Sequence, residues 1–541
     1  MKSLVRLTVA TLLTTTSLVA AQSAPPPADP AAPAATPAPD SGAPPTTPAP
    51  DAAPAPAPAI TPAPPPAAAA PSVPKGPEWT SLRLLHDKGV ISDAELDSAL
   101  KDIGITGAAD ATTIVVSKLR TTIYGYAQAD YHYESTETCV DFCSNAQVQK
   151  SGTYKGEHGR TLFSPRDSRF GVRISAPAEH GIKVSGLLET DFEGPTATTE
   201  QGTFSNPVLR VRHAYVKMET PVVDLLFGQT WSLFGWQPVF LATSVQLPGL
   251  PGQMFERTTQ LKVSKTIKGG GVTTELAIAG NRAPQEDSAY PEGVAGIRVS
   301  FDKWTAQHSA YLTSTTINPA SIAVTGDVRG FRIPEFAAVP KKGDTLMGGG
   351  VAIDVFLPLI KGTKDNKDNS LAVTAELAIG KGTSDMYTGM GAAGTANAAI
   401  PPATMGGTAT AYPSNFDPGL AAVDASGHAE LIKWTTWAAS AEYYAPGTDG
   451  HLGLFVNYQH SESSNAKNVG TAALVGTVTQ ASVDAARAKI RDHEDLYEFG
   501  IITDPTKATR IAASGALFDD AYADGKDAKN YVLMMSAFLF F

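Results

Sequence analysis

Seven basic residues have the spacing expected of groups that guide anions. Arg169, Arg173, Lys183, Arg210, Arg212, Lys262 and Arg298 each fall in a short stretch where apolar and polar residues alternate, and each lies on the polar side. "SRFGVRISA" sets Arg169, Arg173 and Ser175 against Phe170, Val172 and Ile174. "LRVRHAYV" sets Arg210 and Arg212 against Leu209, Val211 and Tyr215. Guanidinium groups facing a narrow aqueous path favour anions and grip carboxylates through a fixed donor fork. Acidic residues share these polar faces: Glu189, Asp191, Asp224, Glu275 and Asp302. The competing use of each cation is therefore an ion pair that only braces a wall.

No other chemistry stands out. His213 could serve as a base, but no serine can be matched to it as a nucleophile. No nucleotide motif is present, so neither a catalytic residue nor a cofactor is expected. Cys139 and Cys143 in "CVDFC", with His132 nearby, match no zinc pattern and point instead to a local disulfide in an exported chain. The formal net charge of −11 argues against a nucleic-acid partner.

The elements that carry these residues read as β-strands. Period-two alternation over roughly ten residues recurs from 121–133 to 529–541, giving about sixteen strands. Connections after even-numbered strands are short: "PAEHG", "ETPV", "DKW", "APGTDG" and "TDPTK". In this reading the eighth strand is 292–302 and the ninth 304–315. Connections after odd-numbered strands are often long, notably 134–161, 232–255, 316–345, 382–427 and 462–491. An even strand number with loops sorted to one end describes an all-β transmembrane antiparallel β-barrel. A soluble sandwich or propeller alternates in the same way, but does not sort its loops. Sixteen strands enclose more space than side chains fill, which leaves a water-filled channel.

One connection stands apart. "WSLFGWQPVFLATSVQLPGLPGQMFE" follows the fifth strand and carries no charge before Glu256. Folded inward it narrows the pore with Trp231, Trp236 and Phe240; folded outward it meets a neighbouring subunit. The last strand, "YVLMMSAFLFF", puts Tyr531, Leu533, Met535, Ala537, Leu539 and Phe541 on a lipid-ready face. Its other face holds Phe538 and Phe540, more apolar than a lumen requires.

Ahead of the barrel, assigned to 120–541, the chain divides in three. Residues 1–21 read as a signal peptide, with Lys2 and Arg6 before a short apolar run. Residues 22–76 form an Ala/Pro spacer, which favours extended polyproline II. Residues 77–106 read as a small periplasmic helix-turn-helix, with Ser92 and Glu95 spaced as a capping box. No apolar run reaches the ~18–20 residues of a spanning helix.

Four segments, in order, resemble the DcaP-like outer-membrane porins: "YGYAQADYHY", "DSRFGVRIS", "LRVRHAYVKM" and "LLFGQTWSLF". The resemblance is strongest across 121–267. It implies a sixteen-stranded barrel, a homotrimer, diffusion of small anions such as dicarboxylates, and a periplasmic N-terminal extension that is often a coiled coil. Arg169, Arg173, Arg210 and Arg212 fall within the matching motifs. The Ala/Pro spacer and helix-turn-helix depart from the pattern. The expectation is a non-enzymatic porin in outer-membrane lipid, passing small anionic solutes. Two alternatives remain: a structural barrel tethered through residues 22–106 to peptidoglycan or another envelope component, and an outer-membrane barrel enzyme.

Overall fold

The computed structural model describes residues 85, 86, 88, 113–116, 119–139, 148–194, 208–237, 252–284, 288, 290–309, 316–334, 343–387, 404–405, 408–409, 421–423, 429–468, 481, 484, 487–488 and 490–541. The expected signal peptide and spacer lie outside them, as does all but three residues of the expected helix-turn-helix.

Sixteen strands close into a barrel. They are β1 (Leu119–Glu134), β2 (Arg160–Ser164 with Arg169–Ser175), β3 (Lys183–Asp191), β4 (Arg210–Glu219), β5 (Asp224–Trp231), β6 (Arg257–Gly269), β7 (Val272–Asn281) and β8 (Glu292–His308). The second half comprises β9 (Thr316–Pro334), β10 (Gly343–Ile360), β11 (Leu371–Lys381), β12 (Lys433–Tyr444), β13 (Leu452–Ser463), β14 (Arg491–Thr506), β15 (Thr509–Tyr522) and β16 (Asp527–Phe540). Each pairs antiparallel with its sequence neighbour, and β1 also pairs with β16 from Tyr126↔Phe540 to Glu134↔Val532. At that seam Gly125 and Phe541 exchange both backbone hydrogen bonds, at 2.9 and 3.0 Å. Closure removes the sheet edges and satisfies backbone groups that lipid cannot. Among the described residues no helix is long and apolar enough to cross a membrane.

The alternation decides which face meets what. On β16, Tyr531, Leu533, Met535, Leu539 and the adjoining Phe541 are exposed outward, while Asn530, Val532, Met534, Ser536 and Phe538 are buried inward. The inward aromatics have a packing reason: Phe538 and Phe540 meet the Tyr126 ring edge-on, at 5.7 and 5.9 Å. Exposed Phe170, Phe227, Ile278, Val324, Val351, Val456 and Phe499 continue the outer apolar band around the wall.

The ninth strand departs from the sequence reading. No turn forms at "DKW". Instead β8 continues to His308 across a bulge between Phe301 and Thr305, and β9 occupies 316–334, where a long connection was expected. The segment carries Asn318, Pro319 and Pro334, residue types that strand interiors disfavour. Pro319 pairs with Thr305 at the bulge, where the ladder is already interrupted, and Pro334 sits at the strand's last position. The loop asymmetry holds at most other connections: 220–223, 270–271 and 507–508 are tight, while 135–159, 232–256 and 464–490 are long; 523–526, after β15, is a tight exception.

Candidate functional site: the charged interior wall

The inner faces of β2 to β4 carry an arginine–carboxylate lattice. A bulge lies where Glu189 pairs with His213 and Thr190 with Val211, so Arg212 and His213 both turn inward. Arg212 donates from Nε to Glu189 Oε1 (2.9 Å) and from Nη1 to Asp191 Oδ2 (2.8 Å). Arg210 grips Asp191 with two donors, at 2.9 and 2.6 Å. Arg169 reaches Glu189 at 3.6 Å and lies over the Tyr126 ring. Tyr124 donates its hydroxyl to Glu189 Oε2 (2.6 Å). His213 faces Thr230 Oγ1 at 3.0 Å and belongs to this lattice. Arg257 extends it, stacking on Trp231 at 4.7 Å while Arg212 lies 5.8 Å from the same ring.

All seven sequence-predicted cations fall on the inner face, but their surroundings differ. Arg169 and Arg212 are buried. Arg210 keeps 35% of its side chain exposed beside Asp191. Arg298 pairs with Glu275 at 2.6 Å. Arg173 and Lys183 are exposed and Lys262 is half-buried; none of the three makes an ion pair among the described residues. Nearby exposed acids are already engaged, with Lys217 at 3.1 Å from Glu219 and 3.9 Å from Asp224.

The connection after β5 turns into the barrel. Gly235 N–H donates to Thr325 Oγ1 on β9 (3.1 Å), and Gln237 Nε2 to Glu376 Oε2 on β11 (2.6 Å). On the returning limb, Met254 N–H donates to Glu376 Oε1 (2.7 Å). One carboxylate thus clamps both limbs. Gly235 takes φ +69°, and a Cβ there would overlap Met254. Arg298 lies 4.7 Å over the Trp236 ring. Trp231 ends β5, and Phe240 lies outside the described residues. Cys139 is buried with no free thiol, and Cys143 lies outside the described residues.

The opposite wall was not singled out in the sequence. Glu292, Asp327, Asp354, Glu376, Glu442, Glu494, Glu498, Asp504 and Asp520 are all buried on β8 to β15. Three buried arginines answer part of that charge. Arg329 meets Asp385 (2.6 Å) and Glu292 (2.9 Å); Arg491 meets Asp520 (3.1 Å) and Glu494 (2.8 Å); Arg510 meets Asp504 (2.8 Å). Arg329 lay hidden in a segment read as a loop. Glu376 stands on the polar side of "LAVTAELAIG", so its face was legible, though not the loop it holds.

Comparison with known proteins now adds identity to geometry. The family model for Gram-negative porins matches residues 103–476. The chain belongs to that family. This porin is an outer-membrane barrel that forms a diffusion channel. It shares its fold with the outer-membrane channel DcaP of Acinetobacter baumannii, at 17% identity and TM-score 0.55, over 79% of this chain and 99% of that one. OmpT of Vibrio cholerae aligns more loosely, at 10% identity and TM-score 0.42, over 80% of this chain and 100% of that one. An anion-selective porin from Comamonas acidovorans aligns at 10% identity and TM-score 0.41, over 78% and 100%. No curated protein sequence matches this porin.

Proposed function

We propose that this porin prefers small anions, carboxylates above all. The carrying observation is a contrast in accessibility. The inward cations Arg173 and Lys183 are exposed without an ion pair among the described residues, whereas the carboxylates of the opposite wall are buried. A solute in the aqueous interior therefore meets positive charge first, and Arg210 offers a partly exposed guanidinium further along the same wall. The connection after β5 acts as the constriction, because it crosses to β9 and β11 in the interior. The working form is a homotrimer in outer-membrane lipid. Its N-terminal region, after removal of 1–21, extends into the periplasm, where it can engage peptidoglycan or another envelope component.

Planar-bilayer recordings in a salt gradient test the ion preference. Discrete conductance steps with an anion-directed reversal potential are expected, and that potential should weaken when Arg173 and Lys183 are replaced. Cation preference in the unaltered protein, or a potential indifferent to those replacements, rules the reading out.

A further inference from the structure

Two groups of His, Cys and acidic donors gather among the described residues. One, His132 with Glu134 and Cys139, has its sulfur in a disulfide and supplies no thiolate. The other lies away from the channel, on the outside of the barrel. His460 and Glu462 on β13 face outward with Leu454 and Val456; His493 and Asp495 on β14 face outward near Tyr497 and Phe499. They sit at the ends of these strands that adjoin the long connection 464–490.

The sheet register makes this a square. His460 is directly opposite Asp495, and Glu462 directly opposite His493. Opposed positions on one sheet face bring Cβ atoms to about 4.5–5.5 Å, within reach of a shared ion. The side chains converge. His460 Nδ1 is 2.9 Å from Asp495 Oδ1, and His493 Nε2 is 2.8 Å from Asp495 Oδ2. Glu462 Oε2 lies 3.9 Å from His460 Nε2, the ring nitrogen not turned to Asp495, and so stands beside the group. The two imidazole rings stand almost perpendicular, with centroids 4.7 Å apart. Tyr458 donates its hydroxyl to Asp495 Oδ1 (2.9 Å) and helps fix that carboxylate, as outer partners of metal ligands do. Trp437, Tyr458 and Tyr497 pack together beside the group, the composition of an interfacial aromatic girdle.

We propose that His460, His493 and Asp495 form a divalent transition-metal site on the outer face of this porin, at its long-loop rim. Bonds of about 2.0–2.2 Å in a tetrahedron put neighbouring donors roughly 3.3–3.6 Å apart. One donor atom from each of His460, His493 and Asp495 lies within 4.8 Å of the other two, so small side-chain rotations reach that spacing. A carboxylate between two imidazoles, with Glu462 close by, suits a cation rather than a phosphate or another anion. Imidazole nitrogen favours zinc, copper or nickel over calcium or magnesium, which prefer all-oxygen shells. A bound ion would join β13 to β14 at the rim of the barrel.

The test uses the full-length, untagged protein folded in detergent, stripped with chelator and titrated with zinc chloride by calorimetry. One ion per chain is expected. The His460→Gln/His493→Gln double variant should bind at least ~100-fold more weakly, since losing even an outer partner costs 10–100-fold. The affected side chains point outward, and heat-dependent gel mobility checks that the variant is folded. A second reading needs no variant: zinc should protect His460 and His493 of the unaltered protein from diethyl pyrocarbonate. The proposal fails if no saturable binding occurs, if the folded double variant binds as tightly, or if zinc protects neither histidine.

Discussion

The two sides of the barrel interior use charge in opposite ways. From β2 to β6 the arginines outnumber their acids, and the surplus is partly open to water. From β8 to β15 the acids outnumber their arginines, but the carboxylates are buried and several are occupied. Glu376 holds the crossing connection, Glu442 accepts from Ser309 (2.7 Å), and Asp504 grips Arg510. The difference separates charge that a solute can feel from charge that holds the structure together. Buried ions are costly unless paired, so burial turns a carboxylate into a fastener. An exposed unpaired cation retains its field toward the lumen.

The largest test breaks the basic side. Arg212→Ala strips Glu189 and Asp191 of a shared, buried partner. That should cost roughly 3–5 kcal/mol, read as a lowered denaturant midpoint of the folded barrel. An unchanged midpoint would mean the lattice is not a fastener. Next comes the acidic side. Glu376→Ala leaves the Met254 N–H and the Gln237 amide unsatisfied, a local cost of about 1–3 kcal/mol each. Single-channel current should rise and become noisier while the barrel stays assembled. Quiet, unaltered conductance would show that other contacts hold the connection.

A third test asks whether accessible charge alone sets selectivity. Arg173→Glu with Lys183→Glu reverses two exposed cations. Each is worth about 1 kcal/mol in water-like surroundings, roughly fivefold in the anion-to-cation permeability ratio. Stability should barely change. A large loss of stability with unchanged selectivity would reverse the assignment of the two walls.

The smallest effect lies outside both walls. Asp368, in the short connection 361–370, accepts from the N–H groups of Gly447 (2.6 Å), Gly450 (3.0 Å) and Thr448 (3.2 Å). Desolvation acts to raise its carboxyl, but those backbone hydrogen bonds outweigh it and the net shift is downward. The clasp is therefore fully present above the ordinary Asp value, near ~3.9, and lost as pH falls through the lower folded value. Asp368→Asn should be slightly less stable than the unaltered protein at neutral pH. The gap should close in strong acid. A gap of equal size at both pH values would remove the carboxylate's charge from the explanation.

Legibility in the sequence followed the kind of signal. Outward residues such as Leu533, Met535 and Leu539 announced themselves because lipid demands apolarity at every second position. The inward cations were legible for the complementary reason. β9 was not, because Pro319 and Pro334 are the local marks of a turn, and only the bulge opposite Pro319 makes room for it in a ladder. Partners were illegible as well. Glu376 is separated from Met254 by five strands of chain, and nothing in either segment names the other.

By itself, then, the sequence determined what each residue could face: period-two alternation is a local property that sorts lipid side from interior before any strand has found its neighbour. Tertiary structure decided which residues meet. Closing the ring brought Gly125 to Phe541, the inward turn after β5 brought Met254 and Gln237 to Glu376, and cross-strand register brought His460 and His493 onto one carboxylate. Pairing between distant segments depends on register and loop path, and one residue of slip would send every one of these side chains to the other face.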